Sequence, residues 1–121
     1  MSADRQFAVG DMRQNADPKF HAPHFAEFVN AANKLDAFAR ENFHKRVIHL
    51  AVRWLLDQPG VGIALWGARR AEQLAPARDV TGWALTKGDF AAIDAILREN
   101  IRHPEGPEFV APPSRQPRRA A

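Results

Sequence analysis

The chain has 121 residues, a hydrophobic share of 45%, a charged share of 26% and a formal net charge of +3. These values describe an ordinary single domain with a mild basic excess, and they exclude a low-complexity or strongly polyanionic chain. The absence of cysteine excludes disulfides and thiolate metal sites.

Residues 1–23 read as loop: they are polar, with Gly10, Asn15, Asp17, Pro18 and Pro23 as breakers. The opening MSADRQFAVGDMRQ has no apolar core of the kind a secretory signal carries, and no later run is long enough to span a bilayer. Cytoplasmic residence fits both observations, and no membrane partner is expected.

A helix is predicted over about 24–42. Phe25, Phe28, Val29, Ala32, Leu35, Phe38 and Ala39 recur in steps of three and four, and make one buried stripe. Asn30, Lys34, Asp36, Arg40 and Glu41 fall on the solvated side. A second helix is predicted over about 45–57. Val47, Ile48, Leu50, Ala51, Trp54, Leu55 and Leu56 make it apolar around much of its circumference, so burial on more than one side is expected. Pro59 and Gly60 end it.

The run VGIALW, residues 61–66, is continuously apolar, as in a strand buried on both faces of a parallel sheet. Gly67, Ala68, Arg69 and Arg70 follow, and a short helix is predicted over about 70–75, disrupted by Pro76. Strand, glycine turn and helix start together place unpaired backbone N–H groups beside two fixed positive charges. That combination suits an anion, a phosphate above all. The bland alternative is an ordinary turn with solvated arginines.

Thr86 is placed to cap the last helix, predicted over about 87–101, with Asp89 completing a capping box. Phe90, Ile93, Ile96, Leu97 and Ile101 line its apolar face. Residues 102–121 form a Pro-rich tail. Phe109 and Val110 could dock on a surface, and the end from Ser114 reads as disordered, with Arg115, Arg118 and Arg119 as a solvated basic terminus. Three arginines without interleaved aromatics make a poor nucleic-acid footprint, so nucleic acid is not an expected partner.

One doubly buried strand cannot satisfy its own hydrogen bonds. Taken alone, the chain reads as mostly helical with one buried strand, a piece of an α/β protein. Neighbouring strands must come from missing sequence, a complementary chain or self-association.

The blocks LAVRWLLDQPGVGIALWGARRAEQL, DMRQNADPKF, GWALTKGDFAAIDAIL and HPEGPEFVAPP occur in order. Together they resemble the C-terminal region of bacterial NADP-dependent aldo/keto reductases, over nearly the whole chain. The resemblance implies a C-terminal fragment of a (β/α)8 TIM barrel, a fold that ordinarily needs about 250 residues. It makes 61–66 the eighth barrel strand and the following turn the seat of the NADP 2′-phosphate. Carried over by position, Gly67 and Ala68 offer backbone contacts, Arg69 of the GAR motif a direct ionic contact, and Gln73 a polar contact. Arg70 is a further candidate that could equally face solvent. Pro76 and Ala77 stand where relatives have an acid and an asparagine against the adenine, so those contacts are not expected here.

The family reduces carbonyls with an Asp, Tyr, Lys and His set that lies upstream of the region resembled, and this chain contains no tyrosine. No catalytic residue is therefore assigned, and the chain alone is not expected to reduce a carbonyl. Met1 falls where longer relatives have an internal residue, which implies a truncated, split or mis-started reductase. The longer parent would take NADPH and a carbonyl substrate, whereas NADP binding by the chain alone is expected to be weak or absent. The alternative is a non-enzymatic helical module that oligomerises or binds a partner protein. The five histidines form no metal-ligand pattern; His21 and His24 fall in a loop that lies near the substrate mouth in relatives. Trp66, beside the glycine turn, reads as buried at the strand end, with proximity to cofactor as the sharper possibility.

Overall fold

The structure, a computed structural model, describes residues 5–15 and 17–106. The expectations for Phe109, Val110 and the terminus from Ser114 lie outside those residues. Four α-helices follow in order: α1 (Met12–Asn15), α2 (His24–Phe43), α3 (Val47–Leu56) and α4 (Lys87–Asn100). Three 3₁₀ segments join them, at Pro18–Phe20, Ala71–Gln73 and Ala75–Val80. The loop predicted over 1–23 is thus interrupted at Met12–Asn15 and Pro18–Phe20. Asp17 caps the Pro18–Phe20 turn by accepting from the Lys19 N–H, and Pro18 supplies the φ that an opening turn needs.

α2 forms where its stripe predicts, with Phe25, Val29 and Ala39 buried. It stops at His44, a non-glycine residue at φ 55°, where the Lys45 N–H reaches back to the Ala39 carbonyl. That left-handed stop satisfies end carbonyls and turns the chain directly into α3. Asp36 corrects the expectation of a solvated residue. Its Oδ1 accepts the Val47 N–H at 2.8 Å and its Oδ2 accepts the Arg40 Nε–H at 2.6 Å. One α2 carboxylate therefore caps the start of α3, and both bonds hold its pKa below the ordinary value, the Arg40 bond foremost. The Arg46 N–H is taken by Nδ1 of the buried His49.

α4 opens on the predicted box: Thr86 Oγ1 accepts from the Asp89 N–H, and Asp89 Oδ2 accepts from the Thr86 N–H. Ala39, Leu50 and Ile93, one from each long helix, form the centre of the core, with Leu35, Phe38, Trp54 and Trp83 packed on it. Asp57 fastens the connector to α3: it accepts the Leu85 N–H at 2.9 Å and the Arg53 Nε–H at 2.9 Å.

The predicted strand does not form. No strand occurs among the described residues, and 61–66 has no regular structure. Ile63 and Leu65 are 80% and 95% exposed. The reason is the missing ladder: a lone segment has no partner to satisfy its backbone groups or cover its side chains. α3 is altered by the same lack. Its Leu50 is buried between helices, but Leu55 and Ala51 are exposed, so burial on several sides is not met. An apolar groove of about 310 Å³ runs along Leu50, Trp54, Leu55, Ile93 and Leu97. The predicted helix at 70–75 is likewise replaced by two 3₁₀ turns, with Pro76 opening the second instead of ending a helix.

Candidate anion-binding site

The turn after residue 66 is shaped by one side chain. Gln73 Oε1 accepts the backbone N–H of Arg69 at 2.7 Å and of Arg70 at 3.1 Å. A glutamine three or four residues downstream reaches back in the manner of a capping box, and folds 69–73 into a small closed loop. Two amides of the turn are thereby satisfied internally instead of facing a ligand. Gln73 keeps only its amide N–H groups for a ligand, and the Arg69 and Arg70 side chains remain exposed.

All five predicted residues, 67–70 and Gln73, line one open cavity of about 790 Å³. Arg5 and Arg13 line it from the opposite segment, and neither was legible as a site residue. They sit in a stretch without periodicity, where an arginine reads as a solvated loop charge. Only the pairing of Asp11 with Arg13 could have signalled more. Arg13 donates Nε–H and Nη2–H to the two carboxylate oxygens of Asp11, at 2.9 and 2.6 Å. Its guanidinium lies 4.6 Å from the Phe7 ring centroid. These bonds, the Arg13 side chain first, hold the Asp11 carboxyl well below the usual carboxylate range, and the charge of Arg69 adds to the effect.

The cavity thus presents four guanidinium groups, and the Asp11 carboxylate next to Arg13 is already committed to that arginine. Such a donor set fits a phosphate ester: it supplies bidentate N–H forks and fixed charge without a competing free acid. Trp66, Gly67, Arg70, Gln73 and Pro76 also border a second open space of about 880 Å³ on the other side of the turn, and Trp66 is half-buried there. Neither His21 nor His24 lines either space. His24 pairs with Glu105 at 3.0 Å and stacks on His103, which in turn pairs with Glu27. Among the described residues no cluster of three His, Asp or Glu is disposed to hold a metal, and no helix is long and apolar enough to cross a membrane.

Comparison with known proteins places this turn in context. Residues 3–98 match the description Aldo/keto reductase family. The chain belongs to the aldo/keto reductase family. It is 52% identical over 107 residues to the aldo-keto reductase YhdN of Bacillus subtilis (strain 168), covering 88% of this chain and 32% of that protein. Among solved structures it is similar to the glycerol dehydrogenase AKR11B4 of Gluconobacter oxydans, with a TM-score of 0.77 and 41% identity over 88% of this chain and 32% of that one. This aldo/keto reductase chain therefore spans 32% of the length of each of these relatives. Its fold corresponds to a mostly helical portion of the family's (β/α)8 barrel, which explains why its apolar segment at 61–66 lacks neighbours.

Proposed function

We propose that this chain is the C-terminal, NADP 2′-phosphate-binding portion of an NADPH-dependent carbonyl reductase. The observation that carries the reading is the convergence of residues 67–70 and Gln73 on one arginine-lined cavity. Arg69 is the main ionic contact to the phosphate, Arg70 a second one, and Gly67 and Ala68 leave room for the ester to approach the backbone. Gln73 serves chiefly by holding the turn, because its carbonyl oxygen is committed to the Arg69 and Arg70 amides. The bound cofactor supplies the hydride in the complete protein. This chain has no tyrosine, so the phenol that resembled enzymes use to protonate the carbonyl oxygen must be carried outside it. Residence in the cytoplasm accords with such a role.

The test is calorimetric titration of the chain with NADP⁺ and NAD⁺, which differ only in the 2′-phosphate. Tighter binding of NADP⁺, lost in Arg69→Met, supports the reading. Equal affinity for the two, or an unchanged preference in Arg69→Met, refutes it.

A second reading is favoured by the bare apolar segment. Exposed Ile63 and Leu65, with the groove beside α3, support association with barrel strands from a complementary chain or another copy. In that case the chain acts as an assembling helical module, whether or not the assembly is an enzyme.

A further inference from the structure

Past Asn100, the end of α4, the chain returns to the first turn of α2, where Arg102 meets a residue 75 positions earlier. Glu27 Oε2 accepts the backbone N–H groups of Arg102 and His103 at 2.9 and 3.1 Å, and its Oε1 lies 2.9 Å from His103 Nδ1. His24 Nδ1 lies 3.0 Å from Glu105 Oε1. Each segment therefore contributes one histidine and one glutamate, and they pair crosswise. A spacing of three puts His24 and Glu27 on one face of α2. The two imidazoles stack on each other, with centroids 5.5 Å apart and planes at 23°. That stack ties the two pairs together: His103 cannot leave Glu27 without also leaving the ring that holds Glu105. The junction also serves α2. Pro23 at the N-cap makes no side-chain hydrogen bond, so the helix starts without the usual acceptor for its free N–H groups. Glu27 is the acid of its first turn, and His24 brings Glu105 to the same end as a second carboxylate, where negative charge is favoured.

We propose that His24, Glu27, His103 and Glu105 act as one cooperative clasp, which straps the segment after α4 across the start of α2 and opens or closes as a unit. None of the four lines the anion cavity, so the clasp stands or falls apart from the nucleotide reading. Opening frees the Arg102–His103 peptide bond, whose flanking amides Glu27 holds when the clasp is shut.

The experiment is limited trypsin digestion of the full 121-residue chain at neutral pH, following release of fragment 1–102 by mass spectrometry. When reclosing is faster than cleavage, this rate follows the population of the open clasp. The parent is compared with Glu27→Ala, His24→Ala and the double variant. Both substitutions lie on α2, so the sequence that trypsin reads around Arg102 is unchanged. Glu27→Ala should release the fragment about tenfold faster, and His24→Ala about threefold faster although it holds neither amide of the cleaved stretch. The double variant should stay near tenfold, short of the roughly thirtyfold that independent contacts would give. Cleavage after Lys34 and Arg53, inside α2 and α3, should change by less than about twofold, which separates clasp opening from general unfolding. Where an alanine variant fails that control, Glu27→Gln and His24→Gln take its place under the same comparison. Release that is unchanged in the His24 variant, or effects that multiply in the double variant, overturns the inference.

Discussion

Asp36→Ala removes a connection that a helical wheel does not show. The α2 carboxylate caps α3 through the Val47 N–H at 2.8 Å and also binds Arg40 one turn along α2. Loss of an N-terminal cap costs about 1 kcal/mol, and an exposed i,i+4 ion pair adds about 0.3–0.5 kcal/mol. Asp36→Ala should therefore lower stability by about 1–1.5 kcal/mol, a fall in Tm of roughly 4–10 °C for a chain of this size. Asp36→Asn keeps an acceptor for the amide and should cost about half as much. Arg40→Gln isolates the ion pair and should cost no more than about 0.5 kcal/mol.

The pH dependence follows from the depressed pKa of Asp36. A carboxylate whose folded pKa lies below its unfolded value contributes stability above the unfolded pKa, and loses it as pH falls through the folded one. The ordinary value is 3.8, so the advantage of the parent over Asp36→Asn should be full at neutral pH and shrink below about pH 4. Urea unfolding followed by far-ultraviolet circular dichroism, at pH 7 and pH 3, measures both effects. Equal stability of Asp36→Ala and the parent at pH 7, or a parent-to-Asn difference that grows on acidification, would refute the capping role.

Two further outcomes are expected. Ile63→Lys combined with Leu65→Lys should reduce any concentration-dependent mass in sedimentation equilibrium while leaving helical content intact; an unchanged assembly would show that 61–66 is not the associating segment. Glu27 accepts the N–H groups of Arg102 and His103 and pairs with His103 Nδ1 at 2.9 Å, and the His103 bond is the first cause of its lowered pKa. Glu27→Gln should lower the protection factors of those two amides, taken relative to intrinsic exchange at the same pH, and acidification of the parent through the Glu27 pKa should do the same, since protonation removes the carboxylate; protection that is independent of both would contradict this tie.

What was legible in the sequence was what depends on neighbours a few residues apart. The α2 stripe, the Thr86–Asp89 cap and the stop after α3 at Pro59 and Gly60 are local patterns, and each appears where expected. The five candidate residues of the 67–73 turn, which line one cavity, come from one continuous stretch. What escaped depends on contacts between distant segments. Asp36 looked solvated because its partner at Val47 is reached only when α2 turns back at His44. Arg5 and Arg13 gave no periodic signal, and join the turn only through the aromatic packing of Phe7 on Phe25. The strand at 61–66 was misread in the opposite direction: its composition is right for a sheet, but a sheet is a property of several segments at once.

That segment also bears on the life of the chain before any ligand arrives. VGIALW contains no charge and no proline, and two of its large side chains point into solvent. Short runs of this composition are the ones that seed cross-β stacking when left uncovered. Arg69 and Arg70 flank the run as charged gatekeepers on one side, and Asp57 and Pro59 stand on the other. The soluble lifetime of this polypeptide is therefore a race between whatever surface shelters residues 61–66 and the chance encounter of two bare copies.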